Sequence, residues 1–392
     1  AITAASALTL AASSVATAQS VLEQELAFPE SRGATVVGAV VTNGLDGDDF
    51  NALIKRTAKN YHNAKLGGKI TPPAKPKKNK PNQEVPRGGW IEPDPFEGTE
   101  AVTVATLDIA GGSDPDYVIV SGGDWASGVG IARTNPATAI LAINAPAPCL
   151  DENGRADQTR ECANEATAAP SNYRTIEFAV EEGAYLAGVV AARESRGQPL
   201  GIIAGALDCL ECDRYVTGFI TGARSVEPDI EILLQYLADD EIAGFGDEAS
   251  AKTYAETFIE VYQPGVLLPV GRGAVMGMVE AACEAEVKVI GAGVDVSAER
   301  PDFRQSCVIA SIVPDVARAV EESLYLWSTP SEAGNQVVTY DLAQGGIRLT
   351  DEWFSSPTKR VDTNEFFDAA KLAIETDQVD ACPDGCGVFA PE

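Results

Sequence analysis

Between Thr175 and Val320 the chain repeats one pattern: a short β-branched apolar run, a turn bearing Gly or Asp, then a helix-period stretch rich in small residues. The runs are Leu200–Gly205, Ile230–Tyr236, Val266–Val270, Val287–Gly291 and Cys307–Val313, with helical stretches at about 213–226, 248–262, 274–286 and 314–326. Apolar runs without polar alternation suit strands covered on both faces, as in a parallel sheet. An earlier block reads the same way. Its strands are Thr35–Thr42, Val102–Ile109, Tyr117–Ser121 and Ala139–Asn144, and its helices are Phe50–Asn60 and a stretch near 125–134. Past Val320 a helix ends near Trp327, short strands follow at Gln336–Asp341 and Gly345–Leu349, and an amphipathic helix spans about 364–376. Open α/β sheets bind ligands at the carboxyl ends of their strands, so function is sought in the turns that follow them.

Two stretches interrupt the pattern. Residues 62–100 are crowded with Pro and Gly and carry Lys75, Lys77, Lys78 and Lys80, and residues 146–172 are polar and Cys-bearing. Both read as inserted loops. The expected organisation is a leader at 1–20, then a first lobe over 34–175 that holds the 62–100 insertion. A second lobe covers 176–306, the chain returns to the first at 307–333 and to the second at 334–352, and a C-terminal extension with a Cys-rich tail fills 353–392. Two doubly wound Rossmann-like lobes joined by several crossovers leave a cleft faced by both sets of strand ends, a natural small-molecule site.

Charge narrows the partners. Of 392 residues, 58 are Asp or Glu and 29 are Lys or Arg, a net charge of −29. That surface repels phosphate backbones, so nucleic acid is an unsuitable partner. His62 is the single histidine, which leaves little for a histidine base or a multi-histidine metal site. No nucleophile–base pair stands out, and Gly271-Arg272-Gly273 lacks the Lys-Ser/Thr that would complete a phosphate loop, so neither catalysis nor a cofactor is expected. Ala1–Ala18 is uncharged and ends Ala16-Thr17-Ala18, like the apolar and cleavage regions of a secretory signal. Export would suit the eight cysteines as disulfides. Proximity favours Cys149–Cys162 and Cys382–Cys386, and Cys283–Cys307 would tie a helix to the next strand. Cys209-Leu210-Glu211-Cys212 has redox-motif spacing but reads here as a structural bridge.

The turns carry a specific series: Thr42-Asn43-Gly44 leading to Phe50-Asn51, Glu182-Gly183-Ala184-Tyr185, Gly218-Phe219, Phe245-Gly246-Asp247, Pro269-Val270-Gly271, and Gly291-Ala292-Gly293-Val294-Asp295. In this order and spacing the series resembles the basic membrane protein family, substrate-binding proteins of ABC importers related to the purine nucleoside receptor A lipoproteins. The resemblance is strong over 175–325 and weaker over 35–145. It implies a type I periplasmic-binding-protein fold whose lobes close on a nucleoside or related heterocycle, with an ABC permease as partner and export to the periplasm or cell surface. It also implies roles. Asn43 and Asn144 would face the base edge, Phe50 and Phe245 would stack on its two faces, and Asn51 belongs to the same turn as Phe50. Gly271 would let backbone approach the ligand, and Asp295 would accept from ribose hydroxyls. Stacking of this kind contributes about 1–3 kcal/mol per base. The family lysine after its Ser-Val-Val stretch is Pro314 here, and no Cys follows the leader to carry a lipid. The missing lysine, the basic run and the acidic surface leave a second class open: a structural protein on the same fold that self-associates into extracellular oligomers or filaments.

Overall fold

The computed structural model describes residues 38–42, 49–66, 90–91, 116–121, 132, 138–144, 149–150, 156–157, 172–207, 209–239, 247–303, 307–328, 337–355, 362–383 and 385–386. The leader, the expected strand at 102–109, nearly all of the expected helix near 125–134 and most of both insertions lie outside them.

The apolar runs form two sheets. The first is wholly parallel and contains β1 (Gly38–Thr42), β2 (Trp90–Ile91), β3 (Tyr117–Ser121), β4 (Ala139–Ile143), β7 (Tyr173–Phe178) and β13 (Val337–Tyr340), in spatial order β13-β7-β4-β3-β1-β2. The second contains β8 (Leu200–Ala206), β9 (Ile232–Ala238), β10 (Val266–Val270), β11 (Lys288–Ala292), β12 (Val308–Pro314) and β14 (Ile347–Leu349), in order β14-β12-β11-β10-β8-β9. Only β14 in it is antiparallel. Every residue of β3, β4, β8 and β10 is buried, as unbroken apolar runs require. Strand β9 is half-buried throughout because it ends its sheet. A short antiparallel pair, β5 (Cys149–Leu150) with β6 (Ala156–Asp157), sits within the second insertion.

Strand order corrects the expected path at two points. The strand at 308–314 does not return to the first sheet; it extends the second beside β11. The chain crosses only afterwards, through α7 (Val316–Ser328), which packs on α1 (Asp49–Tyr61), into β13 beside β7. The last crossing then brings β14 back against β12. An apolar strand carries no label for its sheet; pairing partners decide that. His62, expected at the start of the inserted loop over 62–100, is instead fully buried in the turn that continues α1 and hydrogen-bonds the Tyr117 hydroxyl at 2.9 Å.

Helices α2 (Val180–Glu194) and α3 (Leu210–Val226) cover the second sheet, and α4 (Glu248–Tyr262) with α5 (Val275–Glu284) cover its other portion. A short helix, α6 (Val296–Glu299), follows β11, and α8 (Thr363–Glu375) packs across α2. The main core cluster runs without a break from Ile54 and Ile119 of the first sheet's half to Ile202 and Ile312 of the second, so the crossovers are packed rather than loose. Among the described residues three disulfides are formed, Cys209–Cys212, Cys283–Cys307 and Cys382–Cys386, each at an expected pairing. Cys162 lies outside the described residues. Among the described residues no helix is long and apolar enough to cross a membrane.

One crossover carries a proton-sensitive group. The Leu342 backbone N–H donates to Glu182 Oε2 at 2.7 Å, where the chain passes from β13 to β14. Burial pushes the Glu182 carboxyl from 4.5 up to about 7, against that hydrogen bond and with help from Asp341, Glu181 and Asp377. Between these values the folded chain holds a proton that the unfolded chain has released. Stability therefore falls as pH rises through this window. Glu182→Gln should flatten that fall; denaturant midpoints of both proteins near pH 5 and near pH 8 measure it. An unchanged pH slope would show that Glu182 does not titrate there.

Candidate functional site

The strand ends of the two sheets meet at Asn144. This residue closes β4 with φ 50°, a left-handed conformation that an Asn tolerates better than most residues. Its backbone N–H donates to Ile176 O at 2.8 Å, which fixes it beside β7. Its side-chain amide donates to Glu211 Oε1 at 2.9 Å, in the first turn of α3 over the second sheet. The other Glu211 oxygen faces Arg272 Nη2 at 3.5 Å, in the turn after β10. A chain of three polar side chains thus runs from the end of β4 to the end of β10.

Gly271 begins that turn. A side chain there would stand 3.3 Å from Gly205 Cα at the end of neighbouring β8, so the two strand ends approach as closely as backbone permits. Asp295 ends the Gly-Val-Asp turn after β11. It caps α6, accepting from Ala298 N–H at 3.1 Å, and pairs with Arg348 Nη2 at 3.1 Å. Arg348 lies on β14 opposite Val313, one register step from Pro314. The edge strand therefore brings a guanidinium to the Gly-Val-Asp turn, beside the position where the resemblance expects a lysine.

Phe50 starts α1. It is 9% exposed and meets Phe178 edge-on, with centroids 6.4 Å apart and planes at 85°. Phe178 in turn leans on Tyr340 at 5.7 Å. Asn51 beside it is buried. Asn43 and Phe245 lie outside the described residues. Of the expected site residues, then, Asn144 and Gly271 are joined through Glu211 and Arg272. Phe50 and Asn51 are buried in the first turn of α1, which comes beside the 272–274 turn. Asp295 forms a second polar centre with Arg348. Asp247, from the same series, caps α4 by accepting from Ser250 N–H at 3.0 Å.

Three residues of this region carry no functional signal in the sequence: Glu211 stands between two cysteines, Arg348 in a short closing strand, and Tyr215 within a helical stretch. Tyr215, one turn along α3 from Glu211, is buried, and its hydroxyl stands 3.8 Å from where a Cβ on Gly293 would be. That hydroxyl has no hydrogen-bond partner among the described residues. Burial, and then Glu211, raise its pKa well above the ordinary value, so the phenol keeps its proton and can donate. Spacing signals register α3 as a helix but not which of its side chains reach the strand ends. Chemically the region is balanced: two carboxylates, Glu211 and Asp295, each face a guanidinium, Arg272 and Arg348. Among the described residues the charges of these two pairs cancel, and the four side chains offer both donors and acceptors.

Comparison with known proteins bears on this arrangement. The family model for "Bmp: ABC transporter substrate-binding protein PnrA-like" matches residues 153–375. The ABC transporter nucleoside-binding protein BmpA of Lactococcus lactis subsp. cremoris (strain MG1363) is 29% identical over 185 residues, 45% of this chain and 52% of that protein. Basic membrane protein A of Borreliella afzelii is 28% identical over 184 residues, again 45% and 52%. The chain spans about half the length of the curated relatives it matches. Among solved structures, an ABC transporter solute-binding protein from Aeropyrum pernix K1 superposes with a TM-score of 0.66 at 19% identity, covering 88% of this chain and 92% of that one. The Caulobacter myo-inositol binding protein gives 0.56 at 16%, covering 85% and 96%. At these identities the structural likeness speaks to fold alone, the type I periplasmic-binding-protein fold. With the family model running over more than half of its residues, this chain belongs to the Bmp family of PnrA-like ABC transporter substrate-binding proteins.

Proposed function

We propose that the protein is an exported, non-catalytic solute-binding protein that holds a nucleoside-like small molecule between its two sheets and delivers it to an ABC permease. One observation carries the reading: Asn144 at the end of a first-sheet strand reaches Glu211 over the second sheet, and Glu211 faces Arg272 in the turn after β10. An uncharged guest rich in hydroxyls and ring nitrogens matches a lining whose charges already cancel. In this reading Asp295 takes the sugar hydroxyls, Asn43 and Asn144 meet the base edge, and Phe50 and Phe245 hold its faces. Phe50 is too buried for a base to reach until the halves part, so entry requires breaking the Asn144–Glu211 bond.

Thermal denaturation against a panel of nucleosides, with free sugars and inositol as comparators, tests the reading. A purine nucleoside at a hundred times its Kd should stabilise the fold by about 2.7 kcal/mol. Asp295→Ser keeps a helix-capping oxygen while removing the carboxylate, and should lower affinity roughly tenfold or more without lowering the unliganded melting temperature. No shift with any nucleoside at millimolar concentration would refute nucleoside binding. A second reading rests on the same pairs: Glu211–Arg272 and Asp295–Arg348 satisfy one another without a guest, as in a scaffold that has given up its ligand. Large ordered assemblies in mass photometry, with no metabolite retained, would favour that reading over transport.

A further inference from the structure

The short bridge at the head of α3 differs from the other two in what surrounds it. Cys209–Cys212 closes a sequence separation of 3 and Cys382–Cys386 one of 4, whereas Cys283–Cys307 closes 24; only Cys209–Cys212 opens a long helix after a parallel strand. Closing so short a ring restricts the unfolded chain little, so stabilisation is a weak reason for it. Its placement is that of a reactive pair. It follows a parallel strand, β8, and opens a 17-residue helix whose N-terminal amides favour negative charge. Cys209 is the N-cap, and its Sγ accepts from Cys212 N–H at 3.0 Å. A thiolate at Cys209 would keep that bond in a stronger, charge-assisted form. The next residue, Asp213, is fully buried; one carboxylate oxygen lies 3.4 Å from the Tyr236 hydroxyl and the other has no hydrogen-bond partner among the described residues. A buried carboxyl left half-satisfied beside a disulfide calls for an explanation other than stability.

Access is the opposing consideration, because both cysteines are only 2% exposed. One of the two residues between them, Glu211, answers it. Glu211 makes the bond to Asn144 across the two sheets, so the bridge adjoins the contact that breaks on opening, a step that rests on the function proposed above.

We propose that Cys209–Cys212 is an exchangeable, redox-active disulfide whose exposure is governed by the Asn144–Glu211 contact, with an external thiol or dithiol as its reaction partner. The partner's thiolate attacks Cys212 Sγ, the S–S bond breaks, and its electron pair leaves on Cys209, held by Cys212 N–H. The partner's second thiol, or a second molecule of a monothiol partner, then attacks the partner's sulfur in the mixed disulfide, forming the partner's disulfide and releasing the Cys212 thiol. Two electrons and two protons pass in total from the two partner thiols to the cysteine pair. Cys209 is the better leaving group because it has the helix-terminal donor. This inference does not depend on which ligand the cleft holds, and its test uses ligand-free protein.

The test places the folded full chain in glutathione buffers of graded ratio, quenches with an alkylating agent and maps each cysteine by peptide mass spectrometry. The expected result is that Cys209–Cys212 equilibrates while Cys283–Cys307 remains oxidised and the near-ultraviolet dichroism is unchanged. At short times the glutathione adduct should sit on Cys212 in at least a fivefold excess over Cys209. Asn144→Ala should speed the opening fivefold or more. Opening only in step with loss of the native signal would overturn the proposal, as would an Asn144→Ala rate equal to that of the unsubstituted protein.

Discussion

Lys288→Met is expected to cost about 3–5 kcal/mol of folding stability, the range for removing one partner of a buried ion pair. Glu194 has a side chain with no solvent exposure, at the carboxyl end of α2. The Lys288 ammonium, reaching from the start of β11, donates to its Oε2 at 2.9 Å and to its backbone carbonyl at 2.9 Å. The Thr363 hydroxyl donates to Oε1 at 2.8 Å from the first turn of α8. One carboxylate therefore ties a strand of the second sheet to α2 and to the C-terminal helix. Beside it Arg193 pairs with Glu227 at 2.7 Å and with Asp362, and lies over the Phe366 ring at 4.5 Å. Guanidinium chloride unfolding should show a lower midpoint at unchanged slope. Adding Glu194→Gln to Lys288→Met should recover much of the loss, since the buried carboxylate that lost its ammonium is then gone. A loss below about 1 kcal/mol would mean water reaches Glu194, as at an exposed pair.

Gly222→Val is expected to cost about 3 kcal/mol, the upper part of the usual range for overpacking. Helices α2 and α3 touch through backbone. A Cβ at Gly222 would stand 1.9 Å from Tyr185 O, one at Gly188 2.0 Å from Phe219 O, and one at Gly218 2.2 Å from Glu181 O. No rotamer relieves contacts made by a Cβ against a carbonyl oxygen, so one helix must move. Across the same interface Arg214 forks onto Glu181 at 2.8 and 2.9 Å, both side chains largely buried. Displacing α3 would also move Glu211 and Tyr215, so nucleoside binding should weaken along with stability. Gly197→Ala is the control: its φ of +82° asks for glycine, but nothing lies within 4 Å of an added Cβ. It should cost about 1 kcal/mol through backbone strain alone. Equal losses at the two positions would show that close helix approach is not what the glycines of α2 and α3 provide.

These two sites also show how legibility is divided. The small residues of Glu182–Ala192 announce close packing in the sequence, and the structure names α3 as the neighbour. The amphipathic helix in the tail is equally plain, but nothing in its periodicity says that it docks on α2 through Thr363 and Asp362. Glu194 and Lys288 lie 94 positions apart. Pairing across such a distance is set by where the strands fall, not by any local spacing.

What the sequence determined by itself was most of the described strands and helices, the parallel character of the sheets and the family, and proximity favoured the three described disulfide pairings. Each rests on short-range patterns: unbroken apolar runs, glycine turns, cysteines near in the chain. Tertiary structure alone decided which sheet receives the strands at 308–314 and 337–340, because burial on both faces looks the same in either sheet. It alone buried His62 against Tyr117, turned Asp295 toward Arg348, and set Glu211 between Asn144 and Arg272. Those contacts join side chains from different strands and helices, and their partners are fixed by the winding of the backbone.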